Sequence, residues 1–268
     1  MAGPFKVDAK PYTLEPRKRI LAAKRKTAKR RKGRLVAWWK FDEAAGNTTA
    51  DSAGTNVGTL YNMDDAAWVA GKFGGALDFD GMDDYVDVGS EPNIQTDMFT
   101  LTAWIRARET GQNWQTILGF ERGSHAVSLL SNGHLHYGWQ GVRRGGEGTT
   151  DLRSGRWTFV AITRDHDSQV RLYVNGEMEN SFLGDVDSAF SHSGKIGGDT
   201  IDGEYFDGAI DDVRLYDCAL SQADVAAVFV GREPGEGVNW TPVWIVMLVV
   251  VIAVASAIRA KKRDRSQG

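Results

Sequence analysis

Between residues 35 and 231 short apolar runs recur, each bounded by clusters of Gly, Asp and Asn. The runs at 35–41, 99–106, 116–120, 157–163, 170–174 and 209–216 have the length and composition of β-strands. In 99–106, Leu101, Ala103 and Ile105 fall on one face, and Thr100, Thr102 and Arg106 on the other. Trp104 then stands on the mostly polar face. In 209–216 the same period of two puts Asp211 in line with Val213 and Leu215, opposite Ile210, Asp212, Arg214 and Tyr216. A carboxylate in line with core residues requires a donor or a cation. Asn132-Gly133 and Asn175-Gly176 each separate two such runs, which predicts two-residue type I′ hairpins. Ser221, followed by Asp224 in the first turn, predicts one short helix over 221–230. Many short antiparallel strands in about 200 residues predict an all-β, two-sheet antiparallel sandwich of the jelly-roll kind.

The pattern changes at both ends. Residues 232–239 read as a linker. Residues 240–258 form a stretch of 19 without a charge, opened by Trp240 and Trp244 and followed by Arg259, Lys261, Lys262 and Arg263. At about 1.5 Å per residue it matches the roughly 30 Å hydrocarbon core, so a single transmembrane helix is expected, with 259–268 as a basic tail. Residues 1–34 lack a core-forming pattern; their longest apolar run is Ile20-Leu21-Ala22-Ala23. That is shorter than the roughly 7–15 residues of a secretory signal, and the segment reads as a solvated basic tail.

Composition supports this division. The chain has 268 residues, with 31 Gly, 6 Pro, 9 Trp, 7 Tyr and 11 Phe, which favours turn-rich β structure. Its single cysteine, Cys218, excludes an internal disulfide and a multi-cysteine zinc site. The net charge of -3 divides into +11 for residues 1–34, -18 for 35–258 and +4 for 259–268. An acidic body does not attract nucleic acid, so a nucleic-acid or anionic-lipid contact would belong to the basic arm.

Several residue sets are candidates for chemistry. Glycoside hydrolysis usually needs two carboxylates across the scissile bond. The nearest arrangement, Glu177-Met178-Glu179, follows a turn and is explained by a solvated edge. No Gly-x-Ser-x-Gly elbow occurs, and the five histidines have no metal spacing; His134 and His136 share a strand face. Residues 134–144 combine aromatics with His, Gln and Arg, the composition of a sugar-binding face. Trp139, Arg143 and Arg144 are its candidate ligand-binding residues, the alternative being a core Trp139 and a solvated arginine loop.

The domain resembles the LamG-like family of the concanavalin A-like lectin/glucanase fold. The resemblance is carried by an ordered succession: Trp38-Trp39-Lys40-Phe41-Asp42-Glu43, Ala50-Asp51-Ser52-Ala53-Gly54, Gly74-Gly75-Ala76-Leu77-Asp78-Phe79-Asp80-Gly81, Leu172-Tyr173-Val174-Asn175-Gly176 and Phe206-Asp207-Gly208-Ala209-Ile210-Asp211-Asp212-Val213-Arg214-Leu215-Tyr216. It implies two stacked antiparallel sheets. With no catalytic set among the residues, the chain reads as a non-catalytic recognition or adhesion module for a glycan or an extracellular protein. The alternatives are a glycan hydrolase of this fold or a structural subunit whose basic N-terminal arm contacts anionic partners. The resemblance also implies a structural Ca²⁺ served by Asp211, with the loop 51–56 as a partner through Asp51 and Asn56. The alternative is that Asp51 makes an Asx-turn and Asp211 accepts backbone N–H bonds. The acids Asp78, Asp80, Asp83, Asp84 and Asp87 are expected to be solvated turn residues. The basic residues after 258 predict that this end is cytoplasmic and the domain outside, anchored in the membrane by one pass, the alternative being a tail-anchored chain with its domain in the cytoplasm.

Overall fold

The computed structural model describes residues 34–89, 98–120, 125–139, 145–184, 194–198 and 203–235. The basic arm before Arg34, the end of the linker and the segments 240–258 and 259–268 lie outside the described residues. Among those described, sixteen strands follow in chain order. β1 to β6 are Leu35–Trp39, Thr48–Thr49, Gly58–Tyr61, Trp68–Ala70, Gly75–Asp80 and Tyr85–Asp87. β7 to β11 are Phe99–Ala107, Trp114–Phe120, His125–Leu130, Leu135–Trp139 and Gly145–Glu147. β12 to β16 are Thr158–Arg164, Gln169–Val174, Glu177–Leu183, Gly194–Ile196 and Asp207–Tyr216, and helix α1 is Gln222–Phe229.

Two antiparallel sheets result, in line with the all-β sandwich expected from the alternation. The first runs β14-β13-β12-β7-β16-β5-β4, with β1 also paired to β16. The second runs β11-β10-β9-β8-β15-β6-β3-β2. Leu101, Ala103, Ile105, Val160, Ile162 and Leu172 from the first sheet meet Leu60, Val86, Leu129, Leu135 and Tyr137 from the second in one continuous core. Each such large apolar side chain contributes about 1.5–3 kcal/mol on burial.

Trp104 does leave this core, as its parity requires, but it does not face water. It joins Phe159, Tyr173, Tyr216, Val225 and Val228 in a second cluster beneath α1. The helix starts where expected: Ser221 Oγ accepts the Asp224 backbone N–H at 3.2 Å. It covers the outer face of the first sheet, and its Phe229 ring lies 5.5 Å from Trp104.

The two Asn-Gly turns differ. Asn175 (φ 50) and Gly176 (φ 83) both take the left-handed conformation between paired Val174 and Glu177, as a type I′ turn demands. Asn175 Oδ1 also accepts the Phe159 N–H at 3.1 Å. At Asn132-Gly133 only the glycine has positive φ. There Asn132 Oδ1 accepts the His134 N–H at 3.0 Å and Gly133 N–H bonds Leu130 C=O, so the connection is a longer loop closed by an Asx-turn.

The expected face of Asp211 is also corrected. The pairing of β16 with β7 shifts between Asp211 and Arg214, and Asp212 has φ 52. This bulge adds one residue to the strand. Ile210, Val213 and Leu215 therefore share the core, while Asp211, opposite Trp104, stands on the outer face with Arg214 and Tyr216.

Candidate functional site

Trp139 ends β10, paired with His125, while Arg143 and Arg144 lie outside the described residues. Asp51 and Asn56 do come together. Asp51 Oδ1 accepts the N–H groups of Trp38, Ala53 and Gly54 at 2.9 Å each. Asp51 Oδ2 accepts the Asn56 side-chain amide at 2.5 Å. These donors hold the Asp51 carboxyl below its usual range despite the opposing effect of burial. Asp211 bonds elsewhere: its Oδ2 accepts the N–H groups of Lys72 and Phe73 at 2.7 and 2.9 Å. Asp51, Asn56 and Asp211 thus do not fit one calcium shell, because the oxygens of Asp51 already meet N–H donors and Asp211 bonds a different loop. For both aspartates the contacts are those of the hydrogen-bonding alternative.

The loop that holds Asp211 depends on glycine. Gly71 N–H closes onto Gly74 C=O at 2.9 Å. Gly74 has φ +66, and a Cβ there would lie 2.1 Å from Asp42 Oδ1, so this turn accepts no larger residue without movement. Burial raises the Asp211 carboxyl to about 7, and the Asp212 charge adds to the rise. Arg214 stands against Asp212, Nη2 to Oδ2 at 3.1 Å, and stacks over Trp38 at 4.2 Å. The Trp38 indole N–H donates to Asp212 Oδ1 at 2.5 Å.

In the acidic turn between β5 and β6, Asp80 and Asp83 are exposed as expected, but Asp84 is buried. Asp80, Asp83 and Asp84 bring carboxylate oxygens within 4.8 Å of one another, and Asp84 is only 6% exposed. Burial lifts the Asp84 carboxyl to about 6, with the neighbouring acids adding to the rise. Asp84 Oδ2 accepts the Asp80 N–H at 3.0 Å, which explains why it is drawn inward. Glu179 spends its carboxylate on the 149–150 loop, accepting from Thr149 N–H at 2.9 Å and from the Thr150 hydroxyl. Glu177 is exposed at the start of the edge strand β14.

The outer face of the second sheet has the composition of a ligand surface. Leu60, Val86 and Ile196 point to the core, so their neighbours Tyr61, Tyr85, Asp87 and Lys195 lie on the opposite face. Tyr61 and Tyr85 are register partners, and their rings stack with centroids 4.8 Å apart and planes 7° from parallel. Lys195 Nζ sits 5.0 Å from the Tyr85 ring centroid. Burial pushes the Tyr85 hydroxyl up, so it is a neutral donor near pH 7. Tyr61 is 42% exposed, at the open end of this row. Further along the same face His136, paired with Ser128 and Glu147, packs edge-on to Trp114 at 5.1 Å. His136 is buried on this face. Sequence reasoning passed over Tyr61 and Tyr85 because they lie in short strands 24 residues apart and meet only through the pairing of β3 with β6.

Comparison with known proteins fits this architecture. The Laminin_G_3 family model, described as concanavalin A-like lectin/glucanases superfamily, matches residues 80–226, more than half of the chain. The chain belongs to this family. A comparison with curated proteins finds no match. Among solved structures, domain 4 of AbnA, an extracellular GH43 arabinanase from Geobacillus stearothermophilus solved with arabinotriose, superposes with a TM-score of 0.60 at 22% identity. That likeness covers 73% of this chain and 98% of the other. The binding domain of botulinum neurotoxin serotype D gives 0.57 at 19% identity, over 74% of this chain and 52% of that one. The binding domain of Paraclostridial Mosquitocidal Protein 1 gives 0.58 at 16%, over 73% and 52%. This Laminin_G_3 chain therefore spans about half the length of the two toxin binding domains, and at such identities the likeness establishes the fold alone.

Proposed function

We propose that this Laminin_G_3 domain is a non-catalytic recognition module that binds a glycan on the outer face of its second sheet. The observation that carries the reading is the partly exposed Tyr61–Tyr85 stack beside Lys195 and Asp87. Sugar rings lay their C–H faces on such aromatics, while phenol, ammonium and carboxylate groups exchange hydrogen bonds with the hydroxyls. The AbnA domain, solved with arabinotriose, supports a glycan as the partner class ahead of an extracellular protein. Residues 240–258 tether the module to a membrane in this proposal, with the domain facing outward. Among the described residues no helix is long and apolar enough to cross a membrane, so the tether rests on the sequence.

The test is a glycan-binding screen of the protein beside Tyr61→Ala, with hydrolysis of each bound glycan followed in parallel. Binding lost in Tyr61→Ala with melting unchanged is the expected result. A loss of about 1 kcal/mol or more is the scale of a removed stacking contact. Unchanged binding in the variant would move the site elsewhere, and hydrolysis by the wild type would end the non-catalytic assignment.

A further inference from the structure

The outer face of the first sheet holds a cleft of about 290 Å³ that plays no part in the proposed glycan site. Three carboxylates, Asp42, Asp211 and Asp212, line it with two cations, Lys40 and Arg214, and the rings of Trp38 and Phe73, so its walls carry one net negative charge. Asp211 has no solvent exposure, and while its Oδ2 receives two N–H donors, its Oδ1 has no hydrogen-bond partner. Asp212 Oδ2 has no hydrogen bond either, its contact being the ion pair with Arg214. Asp212 Oδ2 thus has a cation beside it, whereas the buried Asp211 Oδ1 has neither donor nor cation and calls for one. The rings around the cleft already attract cations from the chain itself. Lys40 Nζ lies 4.1 Å from the Trp38 ring centroid, and Lys72 Nζ lies 4.5 Å from that of Trp104. The Phe73 ring packs edge-on against Trp104 yet remains 42% exposed.

A carboxylate floor with aromatic walls matches an organic cation, which gains from both the charge and the ring quadrupole. A hard metal ion takes six or more oxygens. The cleft's carboxylates, Asp42, Asp211 and Asp212, do not bring their oxygens within 4.8 Å of one another as Asp80, Asp83 and Asp84 do. We propose that the cleft binds a small primary ammonium ion, its N–H groups donated to Asp211 Oδ1 and its methylene carbons against the open side of Phe73.

The experiment is thermal unfolding and calorimetric titration of the full chain with 1,4-diaminobutane, with sodium chloride and calcium chloride at matched ionic strength. The diamine should raise the melting temperature saturably and beyond the sodium chloride control. Asp211→Asn should abolish that rise, and Phe73→Ala should weaken binding by about four-fold, the scale of one methylene's burial against the ring. Should Asp211→Asn fail to fold, Phe73→Ala decides alone, since its ring is partly exposed. The proposal is overturned by a diamine effect no larger than that of sodium chloride, by equal affinity in wild type and Phe73→Ala, or by calcium alone stabilising the fold.

Discussion

Asp84 and Asp211 are carboxyls that the fold buries and pushes above their ordinary range, to about 6 and about 7. A raised acid pKa means that the folded chain holds a proton the unfolded chain has released, between the unfolded value near 4 and the folded one. Each group therefore contributes stability that is complete below about pH 4 and is lost as pH rises through its folded pKa. Asp151 acts in the opposite sense, lowered to about 2 mainly by its hydrogen bonds to Arg153, so its contribution is present above pH 4 and lost on acidification. The prediction concerns Asp84: denaturant midpoints of the wild type should fall between pH 4 and pH 6, and Asp84→Asn should flatten that part of the curve. A wild-type midpoint that rises over the same interval, with no change in the variant, would show that Asp84 ionises freely. At this scale the sequence was informative but incomplete. It marked Asp211 as anomalous from its place in a strand, yet not its true face, because the bulge at Asp212 depends on pairing with β7. It treated Asp84 as solvated because nothing local reveals that its carboxylate folds back onto the Asp80 N–H.

At the scale of elements, the signals that proved legible were those set by local chemistry. Ser221 and Asp224 define the start of α1, and Asn175-Gly176 supplies both left-handed residues of its turn. Asn132-Gly133 has the same dipeptide but a different turn, since the Asn132 side chain bonds forward to the His134 N–H. The position of Trp104 shows why one strand cannot be read alone: its polar-side placement was correct, but the apolar cover comes from a helix more than 110 residues later. The role of that cover can be checked. Val228 has no exposure and packs in the Trp104 cluster, so Val228→Asp would bury an unpaired charge there. The helix should lift from the sheet, with a lower melting temperature and a red-shifted tryptophan emission. Unchanged emission and melting would mean that α1 contributes little to closing that face.

At the scale of the whole molecule, three charge zones and two kinds of apolar surface must be reconciled. The acidic sandwich buries its apolar residues between the sheets and under α1, and keeps the Tyr61–Tyr85 stack on the outer face of the second sheet. The 19 uncharged residues of 240–258 are apolar in another way: continuous, without the alternation of a strand, and flanked by cations. Each central Arg costs roughly 2.5–3.5 kcal/mol on insertion scales, so Val250→Arg should weaken membrane insertion substantially. In the proposed arrangement the basic arm of residues 1–34 would add a second, salt-sensitive hold, about 1 kcal/mol for each Lys or Arg near an anionic surface. Salt separates the two, because surface attraction is screened within about 8 Å at 0.15 M whereas insertion of an apolar helix is not. In membrane fractionation, the full chain should stay with the membrane through a high-salt wash, and a chain ending at Asn239 should be released by it. Retention of the shortened chain at high salt, or release of the full one, would place the anchor outside 240–258 and leave the basic arm or the domain itself to hold the surface.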